Sequence, residues 1–140
     1  MKASGGCLCG EVRYELEGEP IFQGHCHCVD CQKATGTGHV SVLALPADCV
    51  RVTGKTSSYA VVADSGLPYT RFFCVNCGSL IFGEPASMPG VRTVTAGTLD
   101  DVSLFRPEVV VYVKDRPAWD RIDSGLPEFD GMPTPAEAQA

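Results

Sequence analysis

Apolar and β-branched residues alternate with polar ones in short runs at 11–16, 39–45, 49–52, 57–62, 69–73, 92–98 and 109–113. A period of two is the signature of strands with one buried face. Turn residues separate the runs: Gly18, Pro46 with Asp48, Gly54, Ser65 with Gly66 and Pro68, and Pro89 with Gly90. The pattern predicts a mainly β domain of antiparallel strands, with one helical turn over 29–35.

Length and composition bound this picture. A chain of 140 residues, 44% hydrophobic and 20% charged, has the make-up of a globular protein and fits one core. The reading therefore expects a single domain over residues 1–131 and a fraying tail over 132–140, which lacks an apolar face. The segment 116–129 carries the single Trp119 with Pro117, Leu126, Pro127 and Phe129, enough apolar area to lie against the body of the domain. Core cover is favoured for Trp119 over a ligand platform. A net charge of -6 argues against nucleic acid, which needs clustered Lys and Arg to displace counterions. No run approaches a membrane span, and residues 1–6 carry no apolar leader pattern. The expectation is a cytosolic protein with no membrane partner; the oligomeric state is left open.

Seven of the eight cysteines fall in three clusters, Cys7 with Cys9, Cys26 with Cys28 and Cys31, and Cys74 with Cys77. In a reducing compartment such spacing reads as metal ligation rather than disulfides. Two distant dyads, Cys7/Cys9 and Cys74/Cys77, can close a four-thiolate structural zinc site. The triad Cys26, Cys28 and Cys31 supplies three ligands to a second zinc and leaves one position free. Tetrahedral Zn–S bonds put sulfurs about 3.8 Å apart, whereas i and i+2 residues of a flat strand lie about 6.6 Å apart. A C-x-C must therefore bend, and Gly5, Gly6, Gly10 and Gly78 supply that freedom.

Three thiolates leave a dication at net -1, which weakens it as an activator of water and favours a thiol as fourth ligand. Coordination would deprotonate that thiol, and the thiolate can add to an aldehyde carbon. Small-molecule thiols and aldehydes are the expected partners, and Cys26, Cys28 and Cys31, as ligands of the open site, carry the expected catalysis. Alternation turns His27 away from the metal and toward an outer-sphere or surface role; the roles of His25 and His39 stay open. Cys49, alone between Asp48 and Val50, reads as a small buried hydrophobe. Lys33, Arg51, Arg71 and Arg92 are the cations available to substrate carboxylates, and each is also an ordinary surface charge.

Three motifs in succession, Gly6-Cys7-Leu8-Cys9-Gly10, the run from His25-Cys26-His27-Cys28 through Cys31 to Gly36, and Phe72-Phe73-Cys74-Val75-Asn76-Cys77-Gly78-Ser79, together with Pro117-Ala118-Trp119-Asp120, carry a resemblance. The chain resembles the glutathione-dependent formaldehyde-activating enzyme family, also called the GFA or centromere protein V family. The resemblance implies a Mss4-like fold with zinc knuckles, a structural zinc on Cys7, Cys9, Cys74 and Cys77 and a second zinc on Cys26, Cys28 and Cys31. It also implies a carbon–sulfur lyase that joins glutathione, as co-substrate, to formaldehyde as S-hydroxymethylglutathione. The alternatives are a non-catalytic carrier of glutathione or its adduct, a zinc scaffold for another protein, and a redox enzyme of the methionine sulfoxide reductase kind. The last needs an activated free cysteine, and only Cys49 lies outside the clusters.

Overall fold

The computed structural model describes residues 1–122 and 125–139. Strand makes up 41% against 16% helix, so the fold is mainly β and consistent with the Mss4-like class. The chain packs as two units, one of Met1–Phe22 with Val42–Phe105 and one of Gln23–Ser41 with Arg106–Ala140.

In the first unit, β1 (Lys2–Gly6), β2 (Arg13–Glu17) and β5 (Val50–Thr53) form an antiparallel sheet in the order β1-β2-β5. β2 shows why: Arg13, Glu15 and Glu17 face solvent while Tyr14 and Leu16 are buried, the alternation a half-buried strand requires. A second antiparallel array runs β4-β9-β8-β7-β6, where β4 is Val40–Pro46 (of which Val40 and Ser41 belong to the second unit), β6 Thr56–Val62, β7 Pro68–Cys74, β8 Leu80–Pro85 and β9 Val91–Thr95. Val12, Tyr14, Leu16, Leu43, Leu45, Ile81 and Val94 form the centre of this unit's core, and the Phe72 and Phe82 rings stack beside them with centroids 4.5 Å apart. The β7–β8 register shifts between Phe72 and Phe73. Such a bulge bends a strand, and this one does so immediately before Cys74.

In the second unit, β3 (Phe22–Cys26, of which Phe22 belongs to the first unit) pairs in parallel with β10 (Val109–Val111), Cys26 lying opposite Val111. Gln23 ties the return of the chain to β3: its carbonyl accepts from Glu108 N at 2.8 Å and its Oε1 from Arg106 N at 2.9 Å. Helix α1 (Val29–Thr35) follows β3 directly and ends on Gly36 in the left-handed conformation, matching the expected helical turn. Pro127 and Phe129 exchange backbone hydrogen bonds with Val110 at 2.9 Å each, so this part of the segment 116–129 does lie along the unit. Asp123 and Ser124 of that segment, and Ala140 of the expected tail, lie outside the described residues; Pro135–Gln139 within the tail is a short helix, α2.

Three strands were not signalled by alternation. Residues Lys2–Gly6 are small, polar or glycine, Phe22–Cys26 has Gly24 in its middle, and Leu80–Pro85 has Gly83 and Pro85; in each case pairing with neighbours, not propensity, makes the strand. The expected strand over 92–98 ends at Thr95, because Ala96–Thr98 turns as a 3-10 helix. That turn brings Thr98 Oγ1 to 2.8 Å from the buried Tyr14 hydroxyl.

Asp100 clamps β1 to β2. Its carboxylate accepts from Arg13 Nη1 at 3.0 Å and Ser4 Oγ at 2.8 Å, with a second bond from Arg13 Nη2. The Arg13 guanidinium, then the Ser4 hydroxyl, holds the Asp100 carboxyl down to about 2, from an ordinary 3.8. A depressed carboxyl stabilises the fold above its unfolded pKa and loses that contribution as pH falls toward the folded value. Asp100→Asn should therefore lower the melting temperature slightly near neutrality, and the gap to the unmodified protein should close between about pH 4 and pH 2. In the core, Leu43 is 0% exposed; Leu43→Ala should cost about 2–5 kcal/mol in urea unfolding through the lost burial and the residual cavity.

Candidate metal centres

The first centre is built in the first unit from two bent turns. Cys7 and Cys9 follow β1; Cys74 ends β7, and Cys77 follows it. In one turn the Cys7 carbonyl accepts from Gly10 N at 3.1 Å, and in the other the Cys74 carbonyl accepts from Gly78 N at 2.9 Å. Gly10 and Gly78 have φ of 83° and 77°, a left-handed conformation that carries a steric penalty for any residue with a Cβ. These glycines are what let a C-x-C and a C-x-x-C each point two sulfurs one way.

The four sulfurs lie within 4.8 Å of one another. Cys7 Sγ is 3.5 Å from Cys9 Sγ, which is 3.8 Å from Cys74 Sγ, close to the roughly 3.8 Å edge of a Zn–S tetrahedron. Backbone N–H groups already point at them: Val12 N donates to Cys7 Sγ at 3.2 Å, and Asn76 and Cys77 N to Cys74 Sγ at 3.4 and 3.5 Å. The Ser79 hydroxyl stands 3.2 Å from Cys77 Sγ and, with backbone N–H groups, pulls the Cys77 thiol down to about 5. Donor chemistry, spacing and N–H support all fit a closed tetrathiolate metal site.

The second centre lies in the second unit. β3 delivers Cys26 at its end, Cys28 caps α1 by accepting from Cys31 N at 3.4 Å, and Cys31 sits in the first helical turn, 8% exposed. The three sulfurs lie within 4.8 Å of one another, and no fourth His, Cys, Asp or Glu donor joins them among the described residues. Hydrogen bonding to Cys28 and Cys31, then burial, pushes the Cys26 thiol far up. Three sulfurs this close resist sharing negative charge without a cation, so this set also fits a metal, with three protein donors.

The histidines occupy the same unit. His27 is 0% exposed, which removes the surface role that alternation allowed it; its Nδ1 donates to the Gly38 carbonyl at 2.8 Å. His39 Nδ1 lies 2.7 Å from Asp120 Oδ2, and His25 Nδ1 lies 2.8 Å from Ser41 Oγ. The His39 ring meets those of His25 and His27 at centroid distances of 5.3 and 5.4 Å. Burial, then the neighbouring His39 and His27, pulls His25 down to about 4, so it is neutral at pH 7. Sequence reasoning did not single out Asp120; its place beside Trp119 in the C-terminal motif was the only signal.

Two other expectations change. Trp119 is 72% exposed and is not core cover, because the turn in which Asp120 N bonds the Pro117 carbonyl at 3.0 Å presents the indole outward. Cys49 packs half-buried against the core of the first unit, with burial raising its pKa, as suits a small hydrophobe. Among the cations, Arg51 pairs with Glu15, Arg71 lies over the Tyr69 ring and Arg92 over the Phe82 ring; Lys33 sits in the last turn of α1.

Residues 2–115 match the family model described as glutathione-dependent formaldehyde-activating enzyme. The chain belongs to this family. All seven clustered cysteines and the three histidines fall inside the matched span, whereas Trp119 and Asp120 lie beyond it. A crystal structure of a Rhodobacter sphaeroides protein is similar in fold, with a TM-score of 0.58 at 18% identity over 90% of this chain and 98% of that one. No curated protein matches the chain. As a family member with a tetrathiolate cluster, the protein should lose one equivalent of metal and melt at markedly lower temperature as Cys74→Ser. Cys49→Ser should leave the metal content unchanged, as elemental analysis and thermal melts would show.

Proposed function

We propose that the protein is a zinc-dependent carbon–sulfur lyase that condenses glutathione, or a similar thiol, with formaldehyde to S-hydroxymethylglutathione. The observation that carries this reading is the three-thiol cluster of Cys26, Cys28 and Cys31, without a fourth side-chain donor among the described residues, in a member of this family. Cys7, Cys9, Cys74 and Cys77 would hold a structural zinc, and the triad a second. When bound there, zinc supplies a soft, cationic position that lowers the pKa of an incoming thiol.

The chain's own part is geometric. β3 and the start of α1 fix three sulfurs in six residues, and the bond from His27 N to the Val111 carbonyl at 3.1 Å ties the loop between them to β10. In the overall reaction the substrate S–H bond breaks, sulfur bonds the formaldehyde carbon, and the carbonyl π pair takes up a proton to become the new hydroxyl. Thiols add to formaldehyde without help, so the gain comes mainly from holding thiol and aldehyde together in a fixed orientation. The reading places the protein in a reducing, cytoplasmic compartment, where free thiols persist.

The test is the rate of hydroxymethylglutathione formation above the spontaneous background, with zinc content measured on the same samples. Cys28→Ser should abolish the excess rate and remove the second zinc while the first stays. Glutathione binding in calorimetry with no excess rate would identify a carrier instead, and neither binding nor turnover a scaffold.

A further inference from the structure

The array β4-β9-β8-β7-β6 ends on β6, which has β7 on one side and, among the described residues, no strand on the other. Hydrogen bonds just beyond its two ends fix which backbone groups face the open side. The Lys55 carbonyl accepts from Val75 N at 3.4 Å, and Ala63 N donates to the Leu67 carbonyl at 2.9 Å. Both couples continue the β6–β7 register, in which Thr56 stands opposite Cys74 and Val62 opposite Pro68. Residues of an antiparallel pair alternate between bonding the neighbouring strand and facing away from it, so Ser57, Tyr59 and Val61 bond β7. The N–H and C=O groups of Thr56, Ser58, Ala60 and Val62 therefore point outward, and no hydrogen bond within the described residues fills them.

Native edge strands are commonly protected by a lysine, a proline, a bulge or a covering segment. β6 has none of these: Thr56–Val62 contains no charged residue, no proline and no glycine, and its register with β7 runs unbroken. Its two faces are also bare, Tyr59 on one being 71% exposed and Val62 on the other 74%. An edge of this kind accepts a further strand.

Charge identifies the occupant. The chain carries a net charge of -6, which sets whole copies against each other, yet β6 itself is neutral and is flanked by Lys55 at its start and Asp64 just past its end. Antiparallel pairing of two copies lays the basic end of each strand beside the acidic end of the other. A two-fold axis through Tyr59 sets Thr56 opposite Val62 and Ser58 opposite Ala60, so every outward N–H and C=O finds a partner; any other two-fold register leaves an end residue unpaired. We infer that β6 is the interface of a homodimer, in which two copies of the chain join edge to edge in this register and close the open edge of both. Tyr59 then meets its own copy in a non-hydrogen-bonded pair with Cα atoms about 4.5 Å apart, where an aromatic pair stabilises a sheet.

Sedimentation equilibrium tests this on the full-length, zinc-supplemented protein. At about 100 μM, enough to populate a dimer of micromolar affinity, the unmodified protein should have the mass of two chains. Ala60→Pro removes an outward N–H that β7 does not use, and Tyr59→Lys sets two like charges against each other at the axis; each should give the mass of one chain. Tyr59→Glu should do the same, and mixing it with Tyr59→Lys should restore the two-chain mass, because opposite charges then meet. Circular dichroism checks that each variant is folded, and the Lys and Glu variants, at an exposed position, carry the test should Ala60→Pro not fold. A one-chain mass for the unmodified protein overturns the interface and leaves the edge to a strand of another protein. A dimer that survives both Tyr59→Lys and Ala60→Pro, or a Lys and Glu mixture that stays at one chain, overturns it as well.

Discussion

Sulfur-to-sulfur distance is the constraint on which the structure turns. Four thiol groups meet within 4.8 Å in the first unit only because two turns abandon extended geometry, one at Gly10 and one at Gly78. The register shift between Phe72 and Phe73 bends β7 just ahead of Cys74. Backbone N–H groups of Val12, Asn76 and Cys77 already face the sulfurs, an arrangement that stabilises thiolate over thiol and so favours a bound cation. The same sheets bury Leu43, Leu45, Ile81 and Val94, and the cysteine cluster and apolar core lie together in one unit.

The triad obeys the same constraint by a different device. Cys26 ends a strand, Cys28 caps a helix and Cys31 lies in its first turn, so the change from strand to helix does the bending that glycine does elsewhere. Three sulfur donors would leave a bound tetrahedral metal one open position, whereas the four-cysteine cluster would complete it. The second unit also gathers His25, His27, His39 and Asp120, the three imidazole Nδ1 atoms being held by Ser41, Gly38 and Asp120 respectively. The unit thus carries a sulfur cluster and, separate from it, a cluster of imidazoles with one carboxylate.

Much of this was legible from residue order alone. Alternation located seven strand regions and α1, and the three cysteine motifs identified both thiol clusters and the family, because ligand spacing and strand period are local properties written in neighbouring residues. The strands at Lys2–Gly6, Phe22–Cys26 and Leu80–Pro85 were not legible, since they exist through their partners.

Tertiary packing decided the rest. Nothing in the neighbourhood of Asp120 announces that it meets a histidine 81 positions earlier, and alternation left His27 an outer-sphere or a surface role, of which its full burial removes the second. Trp119, expected to cover the core from its size alone, is turned outward by a local turn. The parallel pairing of β3 with β10 likewise joins segments far apart in the chain. Sequence determined which atoms could serve as ligands, because side-chain chemistry is intrinsic to each residue. Only the folded chain determined which of them meet, because that depends on contacts between segments whose separation along the backbone carries no local signal.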